Sequence, residues 1–84
     1  MASRQWRPLK KETMSEHLRT TMKVQRARLD LTQAQLAERA GIARKSVNAI
    51  ETGHMVPSTI LALKLAKVLG VTVEELFAIE LRPD

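Results

Sequence analysis

Eighty-four residues suffice for one small domain, and the absence of cysteine excludes a disulfide framework and a thiolate metal site. The core is therefore held by packing alone, or by packing with a partner subunit. The 14 Lys and Arg against 9 Asp and Glu leave a formal net charge of +5, compatible with nucleic acid or an anionic membrane surface but diagnostic of neither. No apolar run nears the roughly 20 residues of a membrane-spanning helix, so no membrane association is expected. No apolar stretch follows the basic N-terminus, as a secretory signal requires, and a chain without thiols suits the cytoplasm.

The charge is concentrated at the start. Residues 1–28 carry Arg4, Arg7, Lys10, Lys11, Arg19, Lys23, Arg26 and Arg28 against only Glu12 and Glu16, while the remainder is close to neutral. Residues 1–20 are expected to form a flexible basic extension, in part helical, that either stays solvated or touches a polyanion; Trp6 lies within it. A folded domain is expected over residues 21–84.

A first helix is predicted to end near Leu29, with its first half over Ser15 to Thr21, and to be broken by Asp30-Leu31. Thr32-Gln33-Ala34-Gln35 has the form of a capping box, which opens a second helix reaching Ala40 with Leu36, Ala37 and Ala40 on one buried face. Gly41 supplies the left-handed terminus that a side chain disfavours. A third helix is predicted from Arg44 to Thr52, with Val47 and Ile50 inward and Gly53 as its stop. After a loop over His54 to Pro57, Ser58 caps a fourth helix to Leu69, closed by Gly70. Thr72-Val73-Glu74-Glu75 is a second capping box and starts a short fifth helix carrying Leu76 and Phe77. The expected fold is all-α: five short helices around one apolar interior.

The segment Thr32 to Gly53 is a helix, a turn hinged on Gly41, and a second helix, the pattern of a helix-turn-helix unit. Ala37 is small enough for the two helices to cross closely, and Val47 and Ile50 anchor the second from below. Arg44, Lys45, Ser46, Asn48 and Ala49 remain on its outer face. Arg pairs two-fold with guanine, Lys donates to guanine or phosphate, and Asn pairs with adenine, so this face suits the major groove of duplex DNA.

The order and spacing of Gln33, Ala37, Gly41, Val47, Glu51, Gly53, Pro57 and Leu76-Phe77 resemble the Cro and phage-repressor type of helix-turn-helix domain. Val47 to Gly53 and Val56 to Thr59 resemble its short stand-alone prokaryotic regulators. The resemblance spans about Met22 to Glu80 and implies a lambda-repressor-like DNA-binding domain. It implies that Gln33 meets a phosphate, Arg44 and Lys45 face bases, Ser46 meets a phosphate, and Asn48 or Ala49 meets the next base step. Thr52 and His54 would approach the backbone, and Arg26 and Glu51 would pair between the first and third helices. Two departures stand out. Ala43 replaces the usual Ser or Thr cap of the third helix, and Gln25 and Leu29 exchange the usual apolar and polar positions, so the first helix is expected to pack rotated or shifted.

The expectation is a homodimeric transcriptional regulator, a repressor by default, because one small domain covers few base pairs and two copies supply useful specificity. Phe77, Ile79 and Leu81 alternate with Ala78 and Glu80, which suggests a short C-terminal strand pairing with its two-fold mate; the other reading is a tail folded on its own core. One rival function is an antitoxin, whose main partner is a toxin and for which only residues 1–20 would serve as a wrapping segment. Another is a protein-interaction module on the same fold, against which Arg44-Lys45 argue. No nucleophile with a partnered base and no phosphate-cradling glycine loop is present, so no enzyme and no cofactor is expected. His17 and His54 lack a third ligand nearby in the sequence, so no metal site is expected either.

Overall fold

Side-chain hydroxyls and glycines set most of the helix ends. The structure, a computed structural model, describes residues 14–83 in the order β1 (Met14–Thr20), α1 (Met22–Arg28), α2 (Gln33–Ala40), α3 (Arg44–Glu51), α4 (Thr59–Leu69), α5 (Val73–Leu76) and β2 (Phe77–Pro83). Most of the expected basic extension, including Trp6, lies outside the described residues. Thr32 accepts from the Gln35 N–H at 3.0 Å while the Gln35 side chain accepts from the Thr32 N–H at 2.8 Å, and Thr72 and Glu75 repeat the arrangement at α5. Ser58 caps α4 through the Leu61 N–H.

The helices enclose one core in which Met22, Leu36, Val47, Ile50, Leu65, Leu69 and Leu76 are almost completely buried. Each contributes about 1.5–3 kcal/mol by leaving water. Every structured helix sends at least one residue into this core, so none is an independent unit. Ala37 and Ala40 are buried beside them, and α2 packs across α3 at their small surfaces. Helix α1 buries only Met22 fully, leaves Val24 66% exposed, and keeps Gln25 half-buried beside Thr21 and Arg28.

The fold is not all-α. The stretch 15–21, expected as the first half of the first helix, is mostly strand β1, which runs antiparallel to β2. Its cause lies far along the chain. The Thr21 N–H and the Thr20 hydroxyl both donate to the Leu76 carbonyl at 3.0 Å, and the Thr21 hydroxyl donates to the Glu75 carbonyl at 2.8 Å. Thr20 also accepts from the Met22 N–H, so two β-branched residues start α1 and satisfy the orphan carbonyls that end α5. The chain on both sides of this junction then continues as a ladder, with Thr20 opposite Phe77, Leu18 opposite Ile79 and Glu16 opposite Leu81. The C-terminal strand expected from the alternation of Phe77, Ile79 and Leu81 thus exists, but its ladder partner is β1 of the same chain.

Gly41 follows α2 at φ 72°, and a Cβ there would meet nothing within 4 Å. Only backbone strain opposes a side chain, so Gly41→Ala should cost about 1–2 kcal/mol in urea unfolding and Gly41→Asn less. Equal losses for both would show that crowding, not conformation, requires the glycine.

Candidate nucleic-acid interface

The outer face of α3 rests on a partly buried charge pair. Arg26 of α1 reaches Glu51 with two parallel bonds, Nε to Oε2 at 2.8 Å and Nη2 to Oε1 at 3.2 Å, and donates Nη1 to the Leu31 carbonyl at 2.8 Å. The two side chains are only 15% and 4% exposed. One guanidinium therefore ties α1, the loop after it and the end of α3 together, in the two-pronged geometry that suits Arg to carboxylates. Burial by itself would raise the Glu51 pKa. The hydrogen bonds from Arg26 and Gln33, with the charges of Arg26 and Lys23, outweigh burial and hold it below its ordinary value.

Gln33, at the start of α2, completes the cluster. Its side-chain Nε2 donates to Glu51 Oε1 at 3.0 Å and to Asn48 Oδ1 at 3.2 Å. Gln33, Arg44, Lys45 and Asn48 together line a surface hollow, and a second hollow beside it runs from Arg44 over Gln33 to Thr32, Asp30 and Arg26. Four residues singled out in the sequence thus share one surface, to which the α1–α2 turn adds Asp30 and Thr32 and the first turn of α2 adds Ala34. Asp30 holds φ 58°, a left-handed conformation that Asp tolerates better than most residues. That turn was the part of this surface least visible in the sequence, where Asp30-Leu31 read only as a break.

The remaining candidates lie along and beyond the same helix. Arg44, Lys45 and Asn48 are exposed, and Ser46 and Ala49 are half-buried. The Thr52 hydroxyl donates to the Asn48 carbonyl at 2.8 Å and lies 2.8 Å from His54 Nδ1. Ala43 caps α3 with no side-chain hydrogen bond, leaving the first-turn N–H groups without a protein side-chain acceptor. Val47 and Ile50 point into the core, as expected of the anchoring face. Phe77 is half-buried against Leu18 and α4, Leu81 is half-buried on the ribbon, and Ile79 is 71% exposed.

A helix crossing a second helix over a glycine turn, with a cationic face outward and a partly buried ion pair behind, is the arrangement of a helix-turn-helix domain. The helix-turn-helix family matches residues 22–76. The chain belongs to this family, in its Cro/C1 type. It is similar to an uncharacterized HTH-type transcriptional regulator of Methanocaldococcus jannaschii, 41% identical over 63 residues that cover 75% of this chain and 96% of that one. It is also similar to YgzD, an uncharacterized HTH-type transcriptional regulator of Bacillus subtilis, 40% identical over 63 residues with the same coverages of 75% and 96%. Its fold is similar to that of the restriction-modification controller protein C.AhdI from Aeromonas hydrophila, with TM-score 0.62 and 31% identity over 64% of this chain and 82% of that one. This helix-turn-helix protein is a transcriptional regulator with a DNA-binding domain, a non-enzymatic class. No helix among the described residues is long and apolar enough to cross a membrane.

The lowered Glu51 pKa has a consequence for acid stability. The carboxylate's contribution is complete above the unfolded value of about 4.3 and is lost as the pH falls through the folded value. Urea unfolding from about pH 7 to about pH 3 should show the parent losing stability over that window. Glu51→Gln should start less stable and change less with pH. An identical pH slope in both proteins would mean that other carboxylates carry the acid response.

Proposed function

We propose that this protein is a homodimeric repressor that binds a two-fold related DNA site with α3 in the major groove. The observation that carries this reading is the hollow shared by Gln33, Arg44, Lys45 and Asn48, where donors converge on the exposed face of a helix braced from behind. Arg44 and Lys45 sit in the first turn, where such helices meet base edges, and Asn48 lies one turn further along the same face. Ser46, Thr52 and His54 are assigned to the sugar-phosphate backbone, as is Gln33 through its main-chain N–H at the first position of α2, since its side-chain NH2 is engaged by Glu51 and Asn48, and Ala49 is assigned to an apolar contact with a base. The uncapped N–H groups of α3 add donors where a phosphate oxygen can approach. Binding with this contact set falls steeply with added salt, because each phosphate contact releases counterions. Repression needs no further part, since a bound dimer obstructs polymerase, and the reading places the protein in the cytoplasm with the DNA.

Two apolar features support dimerisation. Val56, Ile60 and Leu63 are 74%, 69% and 56% exposed, and Ile60 and Leu63 sit one turn apart on α4. Beside them Leu18, Val73 and Phe77 line a groove with Pro57, Thr59 and Ala62. Isolated exposed apolar residues are ordinary, but a contiguous set on one face marks a contact. The proposed two-fold contact therefore joins this α4 face with the neighbouring Phe77 and Ile79, and Leu81 lies further out on β2.

In vitro selection from a randomised duplex pool at near-physiological salt tests the DNA reading. The parent should enrich a palindrome, and the Arg44→Ala, Lys45→Ala double variant should lose it, each good base contact being worth about 1–3 kcal/mol. Equal enrichment by the double variant would remove α3 from the assignment. Sedimentation equilibrium of Ile60→Asp and Leu63→Asp should give monomers at concentrations where the parent dimerises. A dimer retained by both would move the contact elsewhere.

A further inference from the structure

The Arg26–Glu51–Gln33–Asn48 chain of contacts does more than brace α3: it decides which end of the Asn48 amide faces outward. The two ends of a carboxamide differ only in chemistry, so their assignment has to follow from a neighbour whose role is unambiguous. Glu51 provides that reference. Its carboxylate is held ionised by two bonds from Arg26 and can only accept, so the Gln33 group 3.0 Å from Oε1 is the NH2 end. The same nitrogen lies 3.2 Å from Asn48, and its second proton needs an acceptor there. The end of Asn48 that faces Gln33 is therefore its carbonyl oxygen. Asn48 Nδ2 is left on the other side of the amide, and among the described residues it donates to nothing. Asn48 is exposed and lies in the same hollow as Arg44 and Lys45.

We propose that Asn48 is a specificity-determining residue held in one orientation by the Arg26–Glu51–Gln33 relay, so that its carbonyl oxygen is turned toward Gln33 and its NH2 is the end offered to DNA. This rests on the DNA reading above and deepens it. An unconstrained asparagine pairs two-fold with adenine, accepting from N6 and donating to N7. The relay engages one lone pair of the oxygen and turns it toward Gln33, which weakens the accepting half of that pairing. An outward NH2 meets two acceptors, O6 and N7, at guanine, whereas at adenine the exocyclic amino group confronts it with a second donor. The base opposite Asn48 is accordingly guanine, and the adenine pairing expected from residue type alone is disfavoured. The positive charge that sets this preference sits on Arg26, which reaches DNA only through three intervening side chains.

The test is pool selection with the full chain, run in parallel on the parent, Asn48→Asp, Gln33→Ala and Arg44→Ala. Asn48 is exposed and Gln33 half-buried, so the core is untouched in the first two variants. The parent should enrich guanine over adenine at one position of each half-site by about tenfold, within the range of a good base contact. Asn48→Asp keeps an oxygen toward Gln33 and turns the outward group into an acceptor. It should switch that one position to cytosine or adenine, whose exocyclic amino groups donate, and leave the position lost in Arg44→Ala unchanged. Gln33→Ala frees the amide to rotate and should reduce the guanine-to-adenine ratio there to about twofold or less. Adenine enriched by the parent at the Asn48-dependent position would overturn the relay. So would a Gln33→Ala variant with the parent's preference, or a site sensitive to Arg44→Ala but indifferent to Asn48. In those cases the DNA reading would still stand. No enriched sequence for the parent would overturn that reading and the relay with it.

Discussion

The helix-turn-helix geometry depends on one half-buried guanidinium. Arg26 spends three N–H groups on two partners, the Glu51 carboxylate and the Leu31 carbonyl, and so holds three segments at fixed separations. A partly buried charge pair of this kind is a modest source of net stability, because both ions are in part taken out of water. Its larger effect is geometric: either partner alone would be a partly desolvated charge without its counter-charge, so arrangements in which α3 slides or tilts away from α1 are disfavoured. The apolar core holds the helices together, and the ion pair selects one among the ways they could pack.

The surface assigned to DNA is built outward from that constraint. Behind it are side chains with no freedom: Val47 and Ile50 in the core, Glu51 in its pair. In front are long, exposed side chains, Arg44 and Lys45, whose reach adapts to a groove. Gln33 and Asn48 lie between these regimes, polar and partly exposed but hydrogen-bonded to the rigid layer. A surface graded in this way combines a fixed frame, which gives register, with adaptable tips, which tolerate local variation in DNA shape.

The sequence showed the helical part of the fold almost completely, because its signals are local. Capping boxes at Thr32 and Thr72, terminal glycines at 41 and 70, and the apolar spacing of α2 to α4 each act within a few residues. The ribbon was legible only in half. Phe77, Ile79 and Leu81 alternate visibly, but β1 has a single large aliphatic residue, Leu18, besides Met14, and its strand state is set by bonds from Thr20 and Thr21 to carbonyls at 75 and 76. A segment with weak local preference takes the conformation its distant partner dictates. Residue types at the interface were readable from spacing and resemblance, whereas the amide orientations of Gln33 and Asn48 depend on three-dimensional contacts that no spacing encodes.

The ribbon gives the chain an unusual mechanical layout. Met14 lies opposite Pro83, at the far end of the ladder from the Thr20–Phe77 pair, so the two ends of the described chain leave the molecule side by side. Inter-strand bonds in an antiparallel pair run across the strands. Tension applied between the two ends would therefore load those bonds one pair at a time, as in opening a zipper. The seven-residue ribbon would peel apart at low force, and the helices would carry no load until the Leu76 carbonyl released Thr20 and Thr21. A pull on these two ends would thus meet the ribbon before it reached the helices.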